Sequence, residues 1–178
     1  MGLRLHIPAY GELWYRQRLL ADPATMGYNR GYDLGFDGYD NETGCIAFPE
    51  AAWRDWYEWW IGREPERFYA YVADGNGRFL GEVNLHRSGN EPWYEMGVVL
   101  EAAHRGRGYG REALELLLHH AFTVLKAGAV RNSFEAGRTA ALKAHLAAGF
   151  QEIGREKDII NLEITREEYQ NEIPGGIL

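Results

Sequence analysis

The stretch Arg105-Gly106-Arg107-Gly108-Tyr109-Gly110 stands between a short apolar run and a segment with helical periodicity. Residues 93–100, which precede it, are apolar and aromatic and have the length of a strand. Residues 111–126, which follow it, carry apolar side chains at helical spacing: Ala113, Leu114, Leu117, Leu118, Ala121, Phe122 and Leu125. The sequence therefore predicts a strand, a glycine-rich loop and a helix in direct succession.

A glycine-rich loop at the start of a helix favours the binding of phosphate. The first N–H groups of a helix have no partner within it, and the helix dipole is positive at that end. Arg105, Arg107 and Arg111 add positive charge there. The spacing excludes a Walker loop, because Arg111 stands where lysine is required, and it excludes the dinucleotide fingerprint, because the three glycines are spaced by two.

Patterning along the rest of the chain predicts alternating strands and helices. Strands are predicted at 3–7, 68–74, 79–87, 93–100, 129–135, 151–157 and 159–165. Helices are predicted at 10–20, 50–61, 111–126 and 138–148, and residues 22–49 are predicted to be irregular. The predicted order is β-α-α-β-β-β-α-β-α-β-β.

Residues 105–110 fit Arg/Gln-x-x-Gly-x-Gly/Ala at every fixed position. This pattern is the pyrophosphate loop of the GNAT superfamily of acyl-CoA-dependent N-acyltransferases, which the sequence resembles. The predicted element order is also the GNAT order, and residues 147–150 are similar to the Gly-Phe that closes the last superfamily helix. Segments 25–29, 64–69 and 132–135 resemble an uncharacterised bacterial branch. The resemblance implies an α/β (α+β) fold, with a mixed, mostly antiparallel sheet of about six to seven strands and helices on both faces.

Composition limits the class of protein. The chain of 178 residues fits one domain, residues 1–178, with residues 174–178 predicted to be a flexible tail. It has no apolar run of membrane-spanning length and no signal-peptide pattern at residues 1–20, and its single cysteine is Cys45. These features predict a cytoplasmic protein without a disulfide. The net charge of −7 argues against a nucleic-acid partner and is compatible with a cationic acceptor.

The resemblance implies acetyl-CoA as co-substrate and names the residues that would hold it. The strand before the loop would offer backbone groups to the pantetheine arm, and the loop would take the pyrophosphate. Arg138 stands where the family has an asparagine that touches the cofactor. The cofactor-binding residues are therefore predicted to be Val98, Val99, Leu100, Arg105, Gly106, Arg107, Gly108, Tyr109, Gly110, Arg111 and Arg138. No spacing typical of a metal site is present, so no metal is expected.

Two residues are predicted to move protons. Glu95 lies among apolar side chains on the cofactor strand, where partial loss of solvent would make its carboxylate a better base. An ion pair with an arginine is the alternative role for Glu95, and Glu135 is the rival base, unless it contacts Arg138 instead. His145 replaces the tyrosine that often protonates the thiolate in the family, so it is the candidate acid or else a packed residue.

The sequence restricts the identity of the acceptor less than it restricts the cofactor. Alternation places Glu82, Asn84 and His86 on one strand face, so Glu82 and His86 are predicted to bind the acceptor, unless this face is exposed to solvent. Residues 33–50, including Asp33 and Phe36, are acidic and aromatic and would suit a cationic amine or a peptide N-terminus. The alternative function is a non-catalytic acyl-CoA-binding or regulatory module, and a monomer or homodimer is expected.

Overall fold

The computed structural model describes residues 2–32, 34–35, 37–87 and 89–172 and arranges seven strands of these ranges in one sheet. The strands are β1 (Arg4–His6), β2 (Arg67–Ala73), β3 (Phe79–His86), β4 (Trp93–Leu100), β5 (Ala129–Glu135), β6 (Gln151–Glu156) and β7 (Ile159–Thr165). Their order in the sheet is β1-β2-β3-β4-β5-β7-β6. Only β4 and β5 run parallel, and the other neighbours are antiparallel. The predicted sheet is confirmed.

Six α-helices occur in the described ranges. They are α1 (Trp14–Leu20), α2 (Pro23–Met26), α3 (Trp53–Trp60), α4 (Tyr109–His119), α5 (Thr139–Ala147) and α6 (Arg166–Glu172). Short 3-10 turns occupy Tyr10–Glu12, Gly27–Asn29, Glu50–Ala52 and Ala102–His104, and α4 continues into a π turn at His120–Val124.

The sequence prediction misses a helix in each of two segments. Residues 22–49 were predicted to be irregular, yet α2 forms there because the Asp22 carboxylate accepts hydrogen bonds from the N–H groups of Ala24 and Thr25, each at 3.1 Å. Helix α6 was not predicted, since Arg166–Glu172 has few apolar residues to give it a periodic face. The Glu168 carboxylate stabilises the start of α6 by accepting hydrogen bonds from the N–H and the hydroxyl of Thr165, both at 2.7 Å.

The two faces of the sheet carry different helices. On one face, α4 and α5 cover a core that includes Val83 and Leu85 of β3 and Leu114 and Leu117 of α4, all buried. On the other face, α1 and α3 pack aromatic and apolar side chains against Tyr69 and Tyr71 of β2. The prediction of helices on both faces is therefore confirmed.

The ladder between β4 and β5 is short. Their register pairs are Trp93–Ala129, Tyr94–Val130 and Glu95–Arg131, whereas the pairing of β4 with β3 continues to Leu100. Beyond Glu95, β4 has β3 as its hydrogen-bonded neighbour within the described residues, so a gap opens between β4 and β5. This gap leads toward the loop that begins α4.

Some sequence predictions lie outside the described residues. These are the flexible tail at 174–178 and the contributions of Asp33 and Phe36 to an acidic, aromatic cover. Within the described ranges, no helix combines the length and the apolar character needed to cross a bilayer.

Candidate functional site

The loop before α4 has the backbone that its glycines predict. Gly106 and Gly108 have φ of 74° and 84°, a left-handed conformation that residues with a side chain rarely adopt. Gly108 directly precedes the first residue of α4. At Gly110, a Cβ would meet Ala144 and Leu100 at an ordinary 3.8 Å, in agreement with the alanine that the family pattern allows there. The first N–H groups of α4 thus follow a turn formed by glycines, which have no side chain to crowd it.

The three loop arginines have different surroundings. Arg105 turns back to donate to the carbonyl oxygens of Thr25 at 2.6 Å and Leu100 at 3.1 Å. Arg107 is exposed, and Arg111 pairs with Glu115 at 2.7 Å on the surface of α4. Arg105 therefore braces the loop, whereas Arg107 is the arginine of the three whose side chain has no recorded partner among the described residues.

The Tyr28 ring contacts residues that follow β4 and β5, the two strands that diverge. Its ring lies 4.7 Å from the guanidinium carbon of Arg138, which follows β5, and 5.9 Å from that of Arg105, which follows β4. Burial raises the pKa of the Tyr28 hydroxyl, so it stays protonated. Arg138 Nε is also 2.5 Å from Glu135 Oε2. Glu135, the rival base, thus makes the Arg138 contact that was considered for it from the sequence.

Glu95 and His86 face each other across β3 and β4. They are register partners, and His86 Nε2 lies 3.3 Å from Glu95 Oε2. The Glu95 side chain is 46% exposed, so the loss of solvent expected from its apolar neighbours is small. The structure therefore brings together the candidate base and one of the two predicted acceptor residues, at the point where β4 leaves β5.

Glu82, the other predicted acceptor residue, is buried beneath the helices. Its carboxylate accepts hydrogen bonds from Arg16 of α1 and from the Tyr69 hydroxyl, and its side chain is only 5% exposed. The Arg16 guanidinium also stacks 4.6 Å from the Trp56 ring. These contacts favour a structural role for Glu82, because its carboxylate is fully engaged inside the protein. Glu82 does lie on the strand face predicted from alternation, but α1 and α3 cover the end of that face where Glu82 lies.

Asn84 lies on the same face between Glu82 and His86. It is the register partner of Gly97, and a Cβ on Gly97 would approach Asn84 Nδ2 to 2.5 Å. Gly97 is therefore needed so that the Asn84 side chain can lie over β4.

His145 is inside the protein with both ring nitrogens engaged. Nδ1 is 2.8 Å from the carbonyl oxygen of Ala141, and Nε2 is 2.9 Å from Asn132 Nδ2. Because a carbonyl only accepts, the proton is on Nδ1, and Nε2 accepts from the amide. Burial lowers the pKa of His145, which favours this neutral ring. Its role as general acid stays a prediction, and this geometry counts against it.

An open cleft of about 750 Å³ begins beside Glu95. It lies over β5 and is bounded on the far side by the β6–β7 hairpin. Its lining residues are Trp93, Glu95, Met96, Arg131, Asn132, Ser133, Ile153, Gly154, Arg155, Glu156, Asn161 and Leu162. The volume is in the range typical of small-molecule sites. Sequence reasoning did not single out Arg131, because nothing in its local pattern marks a position next to Glu95.

Residues 3–151 match the family model described as "Acetyltransferase (GNAT) domain", which is more than four fifths of the chain. The chain belongs to the GNAT acetyltransferase family. Its enzyme class is therefore N-acetyltransferase, and acyl-CoA-dependent transfer of an acetyl group follows from the family. This assignment favours an enzyme over a non-catalytic acyl-CoA-binding module.

Solved GNAT structures share the fold at low sequence identity. The spermidine N-acetyltransferase of Vibrio cholerae in complex with CoA and spermine has a TM-score of 0.73 at 17% identity, covering 95% of this chain and 98% of that one. A chimera of that enzyme with hSSAT has a TM-score of 0.75 at 18% identity, covering 96% and 99%. An acetyltransferase of the GNAT family from Bacillus anthracis has a TM-score of 0.72 at 17% identity, covering 94% and 96%. A comparison with curated proteins gives no significant match.

No group of three or more histidine, cysteine, aspartate or glutamate residues in the described ranges is placed to hold a metal ion. The absence of a metal, the cytoplasmic location and the choice between monomer and homodimer remain predictions.

Proposed function

We propose that the protein transfers an acetyl group from acetyl-CoA directly to an amine, with Glu95 as general base and no covalent enzyme intermediate. One relationship carries the proposal: the β4–β5 gap opens directly after Glu95 and leads to the Gly108 turn at the start of α4. A thioester in this gap would have the phosphate-binding end of α4 on one side and a carboxylate on the other.

The chain's own groups would hold acetyl-CoA along the gap. The N–H groups at the start of α4 suit the pyrophosphate, because they are unpaired within the helix and lie at its positive end. The backbone from Val98 to Leu100 would meet the pantetheine arm, since the β5 pairing of β4 has ended there. Arg138 lies at the β5 side of the gap, where the terminal guanidinium nitrogens, which the Glu135 contact at Nε leaves out, would meet the phosphates.

The chemistry requires two protons to leave the ammonium group of the acceptor. Glu95, directly or through water, takes one proton from the ammonium, and the freed nitrogen lone pair attacks the thioester carbonyl. Collapse of the tetrahedral intermediate breaks the C–S bond. The second nitrogen proton then goes to solvent, and the thiolate leaves or takes up a proton. Because His145 faces inward, we propose that the thiolate leaves without a dedicated acid.

The acceptor would be a small-molecule amine or a peptide N-terminus. The cleft beside Glu95 is open to solvent on the face opposite α4, so an acceptor could reach the gap there while acetyl-CoA occupies the α4 side. The spermidine acceptors of the structural neighbours make a polyamine one amine to include among those tested.

Release of free thiol from acetyl-CoA tests the proposal. We would measure it with amino acids, amino-acid amides, polyamines and short peptides, and identify the acetylated amine by mass spectrometry. Thiol release that depends on the amine and yields the N-acetyl product is the expected result. Acetyl-enzyme trapped in the absence of amine, or no amine-dependent release, would contradict direct transfer.

A further inference from the structure

Arg131 stands in the middle of the cleft floor on β5. Its Nε donates to Glu163 Oε2 at 2.5 Å, and its guanidinium carbon lies 4.4 Å from the centre of the Trp93 ring. These two contacts hold the guanidinium from one edge and one face. A position fixed in this way reduces the side-chain entropy that Arg131 would lose on binding a ligand.

The terminal nitrogens of Arg131 remain available. Among the residues that the structure describes, no acceptor is recorded for Nη1 or Nη2, and the side chain is 39% exposed. A guanidinium presents its donors as a planar fork that matches the two oxygens of a carboxylate. The Arg131 side chain thus offers a carboxylate-binding group inside a cleft of ligand size.

The other charged side chains around the cleft are less suited than Arg131 to bind an anion. Arg155 donates to both carboxylate oxygens of Glu152 at 3.2 Å, so its fork is already occupied. Glu156 is a further lining carboxylate, on the hairpin side. Glu163 neutralises part of the Arg131 charge but contacts only Nε. Arg131 is therefore the cleft cation best placed to take an anionic group.

The β4–β5 register makes the two functional residues neighbours on adjacent strands. Glu95 and Arg131 are partners on neighbouring strands, which lie about 4.8 Å apart. Each side chain has its own partner, His86 for Glu95 and Glu163 for Arg131. An ammonium at Glu95 and an anion at Arg131 would therefore be separated by only a few bonds within one ligand.

We infer that the acceptor is a small amine that also carries a carboxylate a few bonds from the amine, as an α-amino acid does, and that Arg131 binds this carboxylate. This inference rests on the proposed function and names the substrate class of the same site. A polyamine is disfavoured, because its second ammonium would face the Arg131 guanidinium. The apolar face of Trp93 would pack beside the acceptor.

Matched substrates test the inference in the wild-type protein. Initial rates of thiol release would be compared for glycine and the L-α-amino acids other than cysteine, whose own thiol would react in the assay, and for their amides and spermidine. Each amide keeps the amine and side chain of its acid and replaces the carboxylate with a neutral group, and rates would be compared per unprotonated amine. We expect the best amino acid to exceed its amide by about tenfold or more in kcat/KM, the size of one charge-assisted hydrogen bond.

An Arg131→Gln variant tests the assigned residue. It should lower kcat/KM for the amino acid by about 10- to 100-fold, mainly through KM, and change the rate with the amide less than about twofold. Arg131→Lys should restore part of the loss, because the charge returns without the fork. Arg54→Gln, an exposed change on α3, is the matched control and should have no effect.

Distinct results would overturn the two proposals. Faster transfer to amides or spermidine than to any amino acid would overturn the inference and leave acetyl transfer standing. An equal loss of activity toward acid and amide in Arg131→Gln would also overturn it. Failure of every amine to release thiol would overturn the proposed function and the inference together. The wild-type comparison of acid with amide decides the matter even if Arg131→Gln fails to fold.

Discussion

The guanidinium of Arg105 donates to the carbonyl oxygen of Thr25 at 2.6 Å, across 80 positions of the chain. A second bond links the two segments, since the Thr25 hydroxyl oxygen accepts from the N–H of Ala102 at 3.0 Å. Helix α2 and the loop before α4 are thereby fastened together. The Arg105 guanidinium is hydrogen-bonded to the protein's own backbone, and its predicted contact with phosphate stays a prediction.

Replacement of Arg105 and Arg107 should therefore have different effects. Arg105→Ala should lower the free energy of unfolding by about 1–2 kcal/mol, because two backbone carbonyls lose a charged donor. Arg107→Ala should weaken acetyl-CoA binding by up to about tenfold while stability stays within about 0.5 kcal/mol of wild type. Urea unfolding and calorimetric titration would measure the two quantities. Equal stability of the two variants would contradict the bracing role of Arg105.

Gly108 should be intolerant of a branched side chain. Its φ of 84° costs a β-branched residue more than about 1 kcal/mol, so Gly108→Val should shift the turn that places the first N–H groups of α4. We expect acetyl-CoA affinity to fall by about tenfold or more. Gly110→Ala is the matched control, since its Cβ would find contacts of 3.8 Å. Equal affinities in folded Gly108→Val and wild type would remove this turn from the binding site.

The general base can be identified by two carboxamide variants. Glu95→Gln should lower kcat by about 10²–10⁴ and leave acetyl-CoA affinity unchanged, because it removes a proton acceptor and keeps the shape. Glu135→Gln should retain most activity, since Glu135 is engaged with Arg138. Steady-state kinetics with the best acceptor would compare them. The reverse order of losses would assign the base to Glu135.

The stability of the protein should fall more when one charge of the buried Arg16–Glu82 pair is removed than when both charges are removed. Arg16→Met should cost about 3–5 kcal/mol of stability, because it leaves the Glu82 carboxylate buried without its cation. The triple variant Arg16→Met, Glu82→Leu, Tyr69→Phe removes both charges and the hydroxyl between them, so it should recover most of this loss. Urea unfolding of the variants is the measurement. No recovery in the triple variant would show that packing of Arg16 on Trp56 dominates.

His145 should make the fold sensitive to acid. Burial holds its pKa in the folded state below the ordinary 6.5, so the unfolded chain binds a proton that the folded one excludes. Its contribution to stability is therefore complete above pH 6.5 and decreases as the pH falls toward the folded-state pKa, by at most about 1.4 kcal/mol per pH unit. His145→Gln should lose less stability than wild type between pH 7.5 and pH 5.5. Parallel losses in urea unfolding would contradict this role.

The sequence predicted those parts of the molecule that depend on local pattern. Strands β4 and β5 were predicted at their observed limits, and the glycine-rich loop was predicted between β4 and α4, where Gly106 and Gly108 lie. Helix α2 was missed because four residues are too few for a periodic signal, although Asp22 and Pro23 are typical of a helix start.

Contacts between distant segments could not be predicted. Arg16 is 66 positions from Glu82, and nothing in the pattern of either segment shows that one charge faces the other. The same reason explains why Glu82 was predicted to bind the acceptor and why Arg131 was overlooked. Alternation identifies the face of a strand, but only the packed helices determine whether that face is buried.

The short ladder between β4 and β5 has a mechanical consequence. Among the described residues, three register pairs and the hydrogen bond from the Gly128 N–H to the Pro92 carbonyl oxygen join the β1–β4 half of the sheet to the β5–β7 half along their common edge. An extended pantetheine arm carries amide groups of its own, so in the gap it would serve as a non-protein strand that spans both halves. The bound co-substrate would then connect the two halves of the sheet, and this connection would be lost and formed again in each catalytic cycle.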